Sequence, residues 1–212
     1  MTPKCIIFDL DGTLTDSGEG IINCMLKTLE TYGLPIPDRK DMRFVIGPPL
    51  KTTLPKLGIP EDQVEEAIRI YRSFYVPKGM YENTPYPGIV PLLQALQANG
   101  HRLFVGTSKP EHMAIAILEK FGLASYFEKI CGAAMDGHRD SKSEVLAHLL
   151  ESIGGAENAV MVGDTVFDIV GAAAHKIPAI GVSWGYGEVS EMISAGAVGI
   201  AKTMDELYAL LN

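Results

Sequence analysis

"IIFDLDGTLTDS", residues 6–17, decides how the rest of the chain is read. Ile6, Ile7 and Phe8 form a short apolar run soon followed by Gly12, the pattern of a strand buried on both faces in a parallel sheet covered by helices. Asp9 and Asp11 flank Leu10, and if the backbone stays extended they point to the same side. Like charges that close repel, and partial burial raises the cost of keeping either ionised. A cation, a shared proton or a turn that splits the pair must compensate. Reading Asp11-Gly12-Thr13 as a plain turn accounts for Asp11 and Gly12 but leaves Asp9 without a reason.

Downstream, from "PGIVPLLQALQANG" (87–100), strands and helices alternate. "GIVPLLQALQANG" is an amphipathic helix ending in Gly, "HRLFVGTS" (101–108) a strand, and "KPEHMAIAILEKFG" (109–122) a helix with Pro110 in its first turn. "KICGA" (129–133), "AVMVGD" (159–164) and "PAIGV" (178–182) read as strands; "SKSEVLAHLLESIG" (141–154), "VFDIVGAAAHK" (166–176) and "MDELYALL" (204–211) read as helices. Such alternation calls for a parallel sheet with crossover helices. Between the opening strand and Pro87 the texture differs. "GIINCMLKTLETYG", "PPLKTTLPKLG" and "EDQVEEAIRIYRSFYVPKG" carry helical spacing with no convincing strand. Residues 18–82 are therefore expected to form a helical insertion, leaving 1–17 and 83–212 as the sheet-bearing unit. The insertion is entered through "TDSG" and left through "YENTPYPG", whose prolines and glycine give it hinge-like composition.

The 212 residues, 47% hydrophobic and 21% charged, suit a globular protein able to bury a substantial core. A formal charge of −8 argues against a broad nucleic-acid or anionic-membrane surface, although a locally positive site can still take a small anion. Cys5, Cys24 and Cys131 are widely spaced, without metal-ligand rhythm, and read as reduced core residues. With no charged-then-apolar leader and no apolar run of the ~18 residues a membrane span needs, the expected location is the cytoplasm.

In open parallel sheets, ligands sit beyond the carboxyl ends of the strands where strand order reverses. Asp9 and Asp11 follow the first strand; Thr107, Ser108 and Lys109 follow "LFVG"; Asp164 follows "AVMVG", with Asp168 one helical turn on; Lys142 opens a helix. Four carboxylates, two hydroxyls and one or two lysines can thus share one crevice. Carboxylates around a hard cation suit magnesium. Hydroxyls, a lysine and free N–H groups at helix starts suit a phosphate.

"DLDGT" (9–13), "VGTS" (105–108), Lys142 and "GDTVFD" (163–168) resemble, in order, the four motifs of the haloacid dehalogenase superfamily in its phosphatase branch. The likeness spans the whole chain, and it implies an α/β fold: a Rossmann-like parallel sheet core with an inserted α-helical cap domain. By position in the motifs it also implies roles. Asp9 would be the nucleophile that forms an aspartyl phosphate. Asp11 would act as general acid and then general base; an exposed Asp titrates near ~3.9, so acid duty at neutral pH would need a drier site. Thr107 and Lys142 would bind phosphate oxygens, and Ser108 beside Thr107 is a further substrate-binding candidate. Asp9, Asp164 and the backbone carbonyl of Asp11 would hold Mg²⁺, with Asp168 as a ligand or a partner behind one.

The resemblance implies a magnesium-dependent phosphatase of small phosphorylated metabolites. The presence of Asp11 separates this chain from the dehalogenase and phosphonate-cleaving relatives, which lack the second Asp, and Thr13 leans away from the sugar-phosphate mutases. "RFVIGPPL" (43–50) and "GVSWGYG" (181–187) resemble segments of phosphoglycolate phosphatase-like members, which makes phosphoglycolate the leading substrate and Arg43 the cap residue to read its carboxylate. Nucleoside monophosphate hydrolysis, a mutase reaction and a non-catalytic phosphate-binding module are the alternatives.

Overall fold

The computed structural model describes residues 4–135, 138–155 and 157–212. In chain order they form β1 (Cys5–Phe8), β2 (Thr15–Asp16), α1 (Gly18–Thr31), α2 (Leu50–Thr53), α3 (Val64–Tyr75), β3 (Thr84–Pro85), α4 (Ile89–Ala98) and β4 (Arg102–Pro110). They continue with α5 (Glu111–Lys120), β5 (Lys129–Ala133), α6 (Lys142–Ser152), β6 (Ala159–Gly163), α7 (Val166–Ala173), β7 (Ala179–Val182), α8 (Val189–Ser194), β8 (Gly199–Ala201) and α9 (Met204–Leu211).

Six strands pair in parallel in the order β5-β4-β1-β6-β7-β8. This is the α/β, Rossmann-like core expected from the alternation of elements. The chain builds outward from β1 to β5, then crosses to the far side of β1 and builds outward again. The order therefore reverses around β1, at the carboxyl ends of β4, β1 and β6, where a crevice opens between diverging connections.

The alternation of side chains along β1 explains why its whole run is apolar. Ile6 and Phe8 join a cluster that includes Ile117 of α5, Leu93 of α4 and Leu207 of α9, while Cys5 and Ile7 join a second cluster with Leu146 of α6 and Ile169 of α7. Helices thus cover both faces of the sheet, and all four residues of β1 are buried. Cutting Ile6 or Ile7 back to Ala would cost about 2–5 kcal/mol through lost transfer energy and the cavity left behind.

Between β2 and β3 the chain makes a helical excursion, with α1 packed on α3. Its apolar side, including Met25, Leu29, Ile68 and Tyr71, is continuous with the cluster on one sheet face. Three local expectations need revision. "PPLKTTLPKLG" yields only the four-residue α2 and a 3₁₀ turn at Pro55–Leu57, because Pro55 has no N–H to continue a helix. Pro110 ends β4 and caps α5 from outside instead of lying in its first turn. The two connectors, the second of them hinge-like in composition, pair with each other as antiparallel β2 and β3, with Thr15 opposite Pro85 and Asp16 opposite Thr84. Two further elements, α8 and β8, are not expected from the sequence.

Candidate active site

Asp9 continues the β1 ladder by one bond, its N–H donating to Val162 O at 2.9 Å. The chain then turns sharply, with the N–H groups of Thr13, Leu14 and Thr15 all donating to Leu10 O. Gly12 stands at φ +81°, in the left-handed region, and a Cβ there would collide with the Asp164 carboxylate. The turn splits the two acids that the sequence sets side by side, and each meets its own lysine.

Lys142 Nζ lies 2.8 Å from Asp9 Oδ1, 2.8 Å from Asp168 Oδ1, and donates to Gly106 O at 2.9 Å. Local chemistry presents this lysine as the first residue of α6. Ser141 Oγ accepts from Glu144 N at 3.2 Å while Glu144 Oε2 accepts from Ser141 N at 2.9 Å, a reciprocal cap that fixes the turn carrying Lys142. Burial disfavours the ammonium, but the Asp168 and Asp9 carboxylates outweigh it and raise its pKa, so Lys142 stays charged.

Asp11 Oδ2 lies 3.0 Å from Lys109 Nζ, which also donates to the Tyr75 hydroxyl of α3. The sequence places Lys109 among the residues that can share the crevice but gives it no role. The signal that could find its role is its place two residues beyond Thr107 on an extended strand, which turns both side chains to one side. The Lys109 backbone N–H donates to Thr107 Oγ1 at 3.3 Å, and Thr107, Ser108 and Lys109 all line the cavity that contains Asp9 and Asp11.

Asp164, fully buried, accepts from Thr13 Oγ1 at 3.2 Å and from Tyr186 N at 2.8 Å. Burial pushes its carboxyl well above the ordinary range, and the nearby Asp168 and Asp9 push it further. Asp168 is raised as well, chiefly by burial, with Lys142 opposing. Single oxygens of Asp9, Asp164 and Asp168 lie within 4.8 Å of one another, all three residues buried. One ammonium among three carboxylates leaves the cluster short of positive charge, and an all-oxygen donor set fits Mg²⁺. Asp168 is the most occupied of the three: its Oδ2 accepts from Thr165 N at 3.0 Å and Thr165 Oγ1 at 2.9 Å, and its Oδ1 faces Lys142.

Above the acids lies a cavity of about 160 Å³, closed by Gly47, Pro48 and Pro49 of the excursion and by the face of α3 that carries Ile68, Tyr71, Arg72 and Tyr75. Arg43, the cap residue expected to read a substrate carboxylate, lies elsewhere. Its Nη2 donates to Gly185 O at 2.7 Å and its guanidinium sits 5.8 Å from the Tyr186 ring centroid, outside the cavity lining. The basic groups of the excursion that do line the cavity are Lys51 and Arg72. The loop at 184–187 also holds the entrance of the excursion: the Tyr186 hydroxyl donates to Asp16 Oδ1 and accepts from Gly18 N at 2.7 Å.

Comparison with known proteins agrees with this arrangement. The tyrosine-protein kinase PtkA of Mycobacterium tuberculosis is 44% identical over 214 residues, covering 100% of this chain and 73% of its own. A 5'-nucleotidase of Pseudomonas aeruginosa is 40% identical over 189 residues, covering 88% of this chain and 86% of its own. The crystal structure of a predicted phosphatase from Clostridium acetobutylicum superimposes with a TM-score of 0.94 at 38% identity, covering 99% of both chains. The family model of the haloacid dehalogenase-like hydrolases matches residues 6–182, from the first residue of the apolar run in β1 to the end of β7. With its motifs gathered at one sheet edge and that match spanning most of its length, the chain belongs to the haloacid dehalogenase-like hydrolase family.

Proposed function

We propose that this chain is a magnesium-dependent phosphatase of small phosphate monoesters that works through an aspartyl phosphate. The observation that carries the reading is the convergence, at the point of strand reversal, of Asp9 with Lys142, Asp164 and Asp168. Asp9, Asp164 and the backbone carbonyl of Asp11 are the groups to hold Mg²⁺, which when bound offsets negative charge on the acids and the phosphate. Asp168 serves chiefly to hold Lys142. We take residues 18–82 as a cap over a core of 1–17 and 83–212, and we place the protein in the cytoplasm, consistent with free buried cysteines and no helix among the described residues long and apolar enough to cross a membrane.

In this reading an oxygen of Asp9 attacks phosphorus, the bond from phosphorus to the ester oxygen breaks, and Asp11 delivers a proton to the departing alcohol. Water then attacks phosphorus of the Asp9 acyl phosphate while Asp11 takes a proton from that water, and the bond from phosphorus to the Asp9 oxygen breaks, which frees phosphate and restores Asp9. Lys142, Thr107 and Ser108 hold the phosphoryl oxygens as charge moves onto them. Lys109, paired with Asp11, holds that side chain in place. The cavity of about 160 Å³ is smaller than the ~300 Å³ of ordinary small-molecule sites, which favours short esters over nucleotides in this conformation.

Hydrolysis of p-nitrophenyl phosphate with Mg²⁺ and with EDTA tests the proposal; turnover that is indifferent to the metal and to Asp9→Asn would sink it. The similarity to a protein named as a kinase raises a second outcome, in which the Asp9 acyl phosphate passes its phosphoryl group to a hydroxyl instead of water. Release of inorganic phosphate against label retained on protein tyrosine separates the two, and a coupled isomerisation assay separates both from a mutase.

A further inference from the structure

We propose that Glu111, Cys131 and His148 form a second metal site, one that takes Zn²⁺ and stands apart from the acidic cluster at the strand ends. The site shares no residue with Asp9, Asp164 and Asp168 and does not depend on the phosphatase reading.

One donor atom from each side chain, a carboxylate oxygen, a thiol sulfur and an imidazole nitrogen, lies within 4.8 Å of the other two. They come from three elements. Glu111 opens α5, Cys131 lies in the edge strand β5, and His148 lies in α6. Alternation along β5 brings them together: Ile130 turns to the sheet face that α5 covers, so Cys131 turns to the other, where it packs with Leu146 and Leu149 of α6. No local motif announces the set, because its members are far apart in sequence.

Two features distinguish it from a chance meeting of side chains. Cys131 is fully buried, and no hydrogen bond of its thiol or of the His148 ring is seen among the described residues. Glu111, by contrast, is already oriented. Its Oε2 accepts from Gly132 N at 3.2 Å and from Arg139 Nη2 at 3.1 Å, while Arg139 Nε donates to Gly132 O at 2.8 Å. Among the described residues these bonds all fall on one carboxylate oxygen, which leaves the other for a cation. Metal-binding carboxylates are held in this way by donors behind them.

Donor chemistry selects the ion. Mg²⁺ takes oxygen ligands, whereas Zn²⁺ accepts sulfur, nitrogen and oxygen together in a tetrahedron. Water completes the fourth position, reached from the side of His148, which is partly exposed. Burial, and then the Glu111 carboxylate, raise the pKa of the Cys131 thiol, so it is neutral without metal. It binds as the thiolate, and its proton leaves to solvent as the ion enters. An occupied site ties the starts of α5 and β5 to the middle of α6. Pro110 and Ala133, which flank it in sequence, line the cavity above the acids, so the clip also stiffens one wall of that cavity.

The experiment titrates reduced protein with Co²⁺ as a spectroscopic stand-in for Zn²⁺, in excess Mg²⁺ to fill the acidic cluster. Wild type is expected to develop a thiolate-to-cobalt charge-transfer absorption that saturates at a single equivalent and is displaced by Zn²⁺. Cys131→Ser should abolish the absorption and Cys24→Ser should leave it. His148→Gln should weaken Zn²⁺ binding, measured against a chromophoric chelator, at least about tenfold, the loss that even a partner behind a ligand causes. Absence of the absorption in wild type at millimolar Co²⁺, its survival in Cys131→Ser, or unchanged Zn²⁺ affinity in His148→Gln overturns the proposal. The wild-type titration decides even if Cys131→Ser fails to fold.

Discussion

Lys142 Nζ lies 2.8 Å from Asp9 Oδ1, with the two side chains 4% and 7% exposed. A lysine from α6 thus reaches the end of β1 and holds a carboxylate that would otherwise be buried beside two more. Removing one partner of a buried pair leaves the other charge uncompensated, at about 3–5 kcal/mol. Lys142→Met is therefore expected to lower the melting temperature in EDTA by roughly 6–20 °C for a chain of this size, and Asp168→Asn added to it to recover part of the loss. Thermal melts of the two variants check this; an unchanged single variant would show that the pair contributes nothing.

Asp9→Asn keeps the shape of the side chain and removes the proposed nucleophile. Turnover is expected to fall about 10⁴-fold or more, as losses of covalent nucleophiles do. Acid-quenched wild-type protein should carry phosphate on Asp9 and the variant none. Mass spectrometry of the quenched peptide containing residues 6–17 reads the result.

Asp164 supplies a pH test. Burial, with Asp168 and Asp9 nearby, raises its folded pKa well above the ordinary value near 3.8. A raised pKa contributes stability that is complete below the unfolded value and lost as pH rises through the folded one. Without metal, wild type should therefore lose ground to Asp164→Asn as pH climbs from about 4 to 8, a tenfold change in the protonation equilibrium being worth ~1.4 kcal/mol. With Mg²⁺ the order should reverse at pH 8, because the cation takes the place of the proton. Melting curves across that range, with EDTA and with Mg²⁺, decide the matter; a pH-independent gap would mean Asp164 is not strained by burial.

Tyr186→Phe removes one hydroxyl that joins two parts of the chain. It donates to Asp16 and accepts from Gly18 N, while the backbone of the same residue serves Asp164. A loss of about 1–3 kcal/mol is expected, with faster amide exchange at the start of α1. Exchange that quickens equally in β6 would indicate global loosening instead of release of the excursion.

The parts legible in the sequence are those written locally. The apolar runs of β1, β4 and β6 mark the sheet, and residues just past their ends mark Asp9, Thr107 and Asp164, because a parallel sheet puts strand ends at one edge. The partners of those residues are not local. Nothing near Arg43 in sequence announces Gly185 O, nor does anything near Lys109 announce Asp11, since both contacts join distant segments. Arg72 is hidden for a different reason: on a helix rich in charge, only the turn of α3 toward the acids distinguishes it from Arg69, which pairs with Glu66 at the surface. The short α8 and β8 escape because three to six residues carry too little periodicity to separate from loop.

The ribbon of β2 and β3 has a consequence for how such chains diversify. Since the chain departs and returns through two adjacent strands, the points of exit and re-entry are pinned to each other whatever the length of the path between them. A replacement segment of other length and sequence could be spliced in at that gap with the acids left in place, which makes the ribbon a natural junction for grafting one enzyme's selectivity onto another's chemistry.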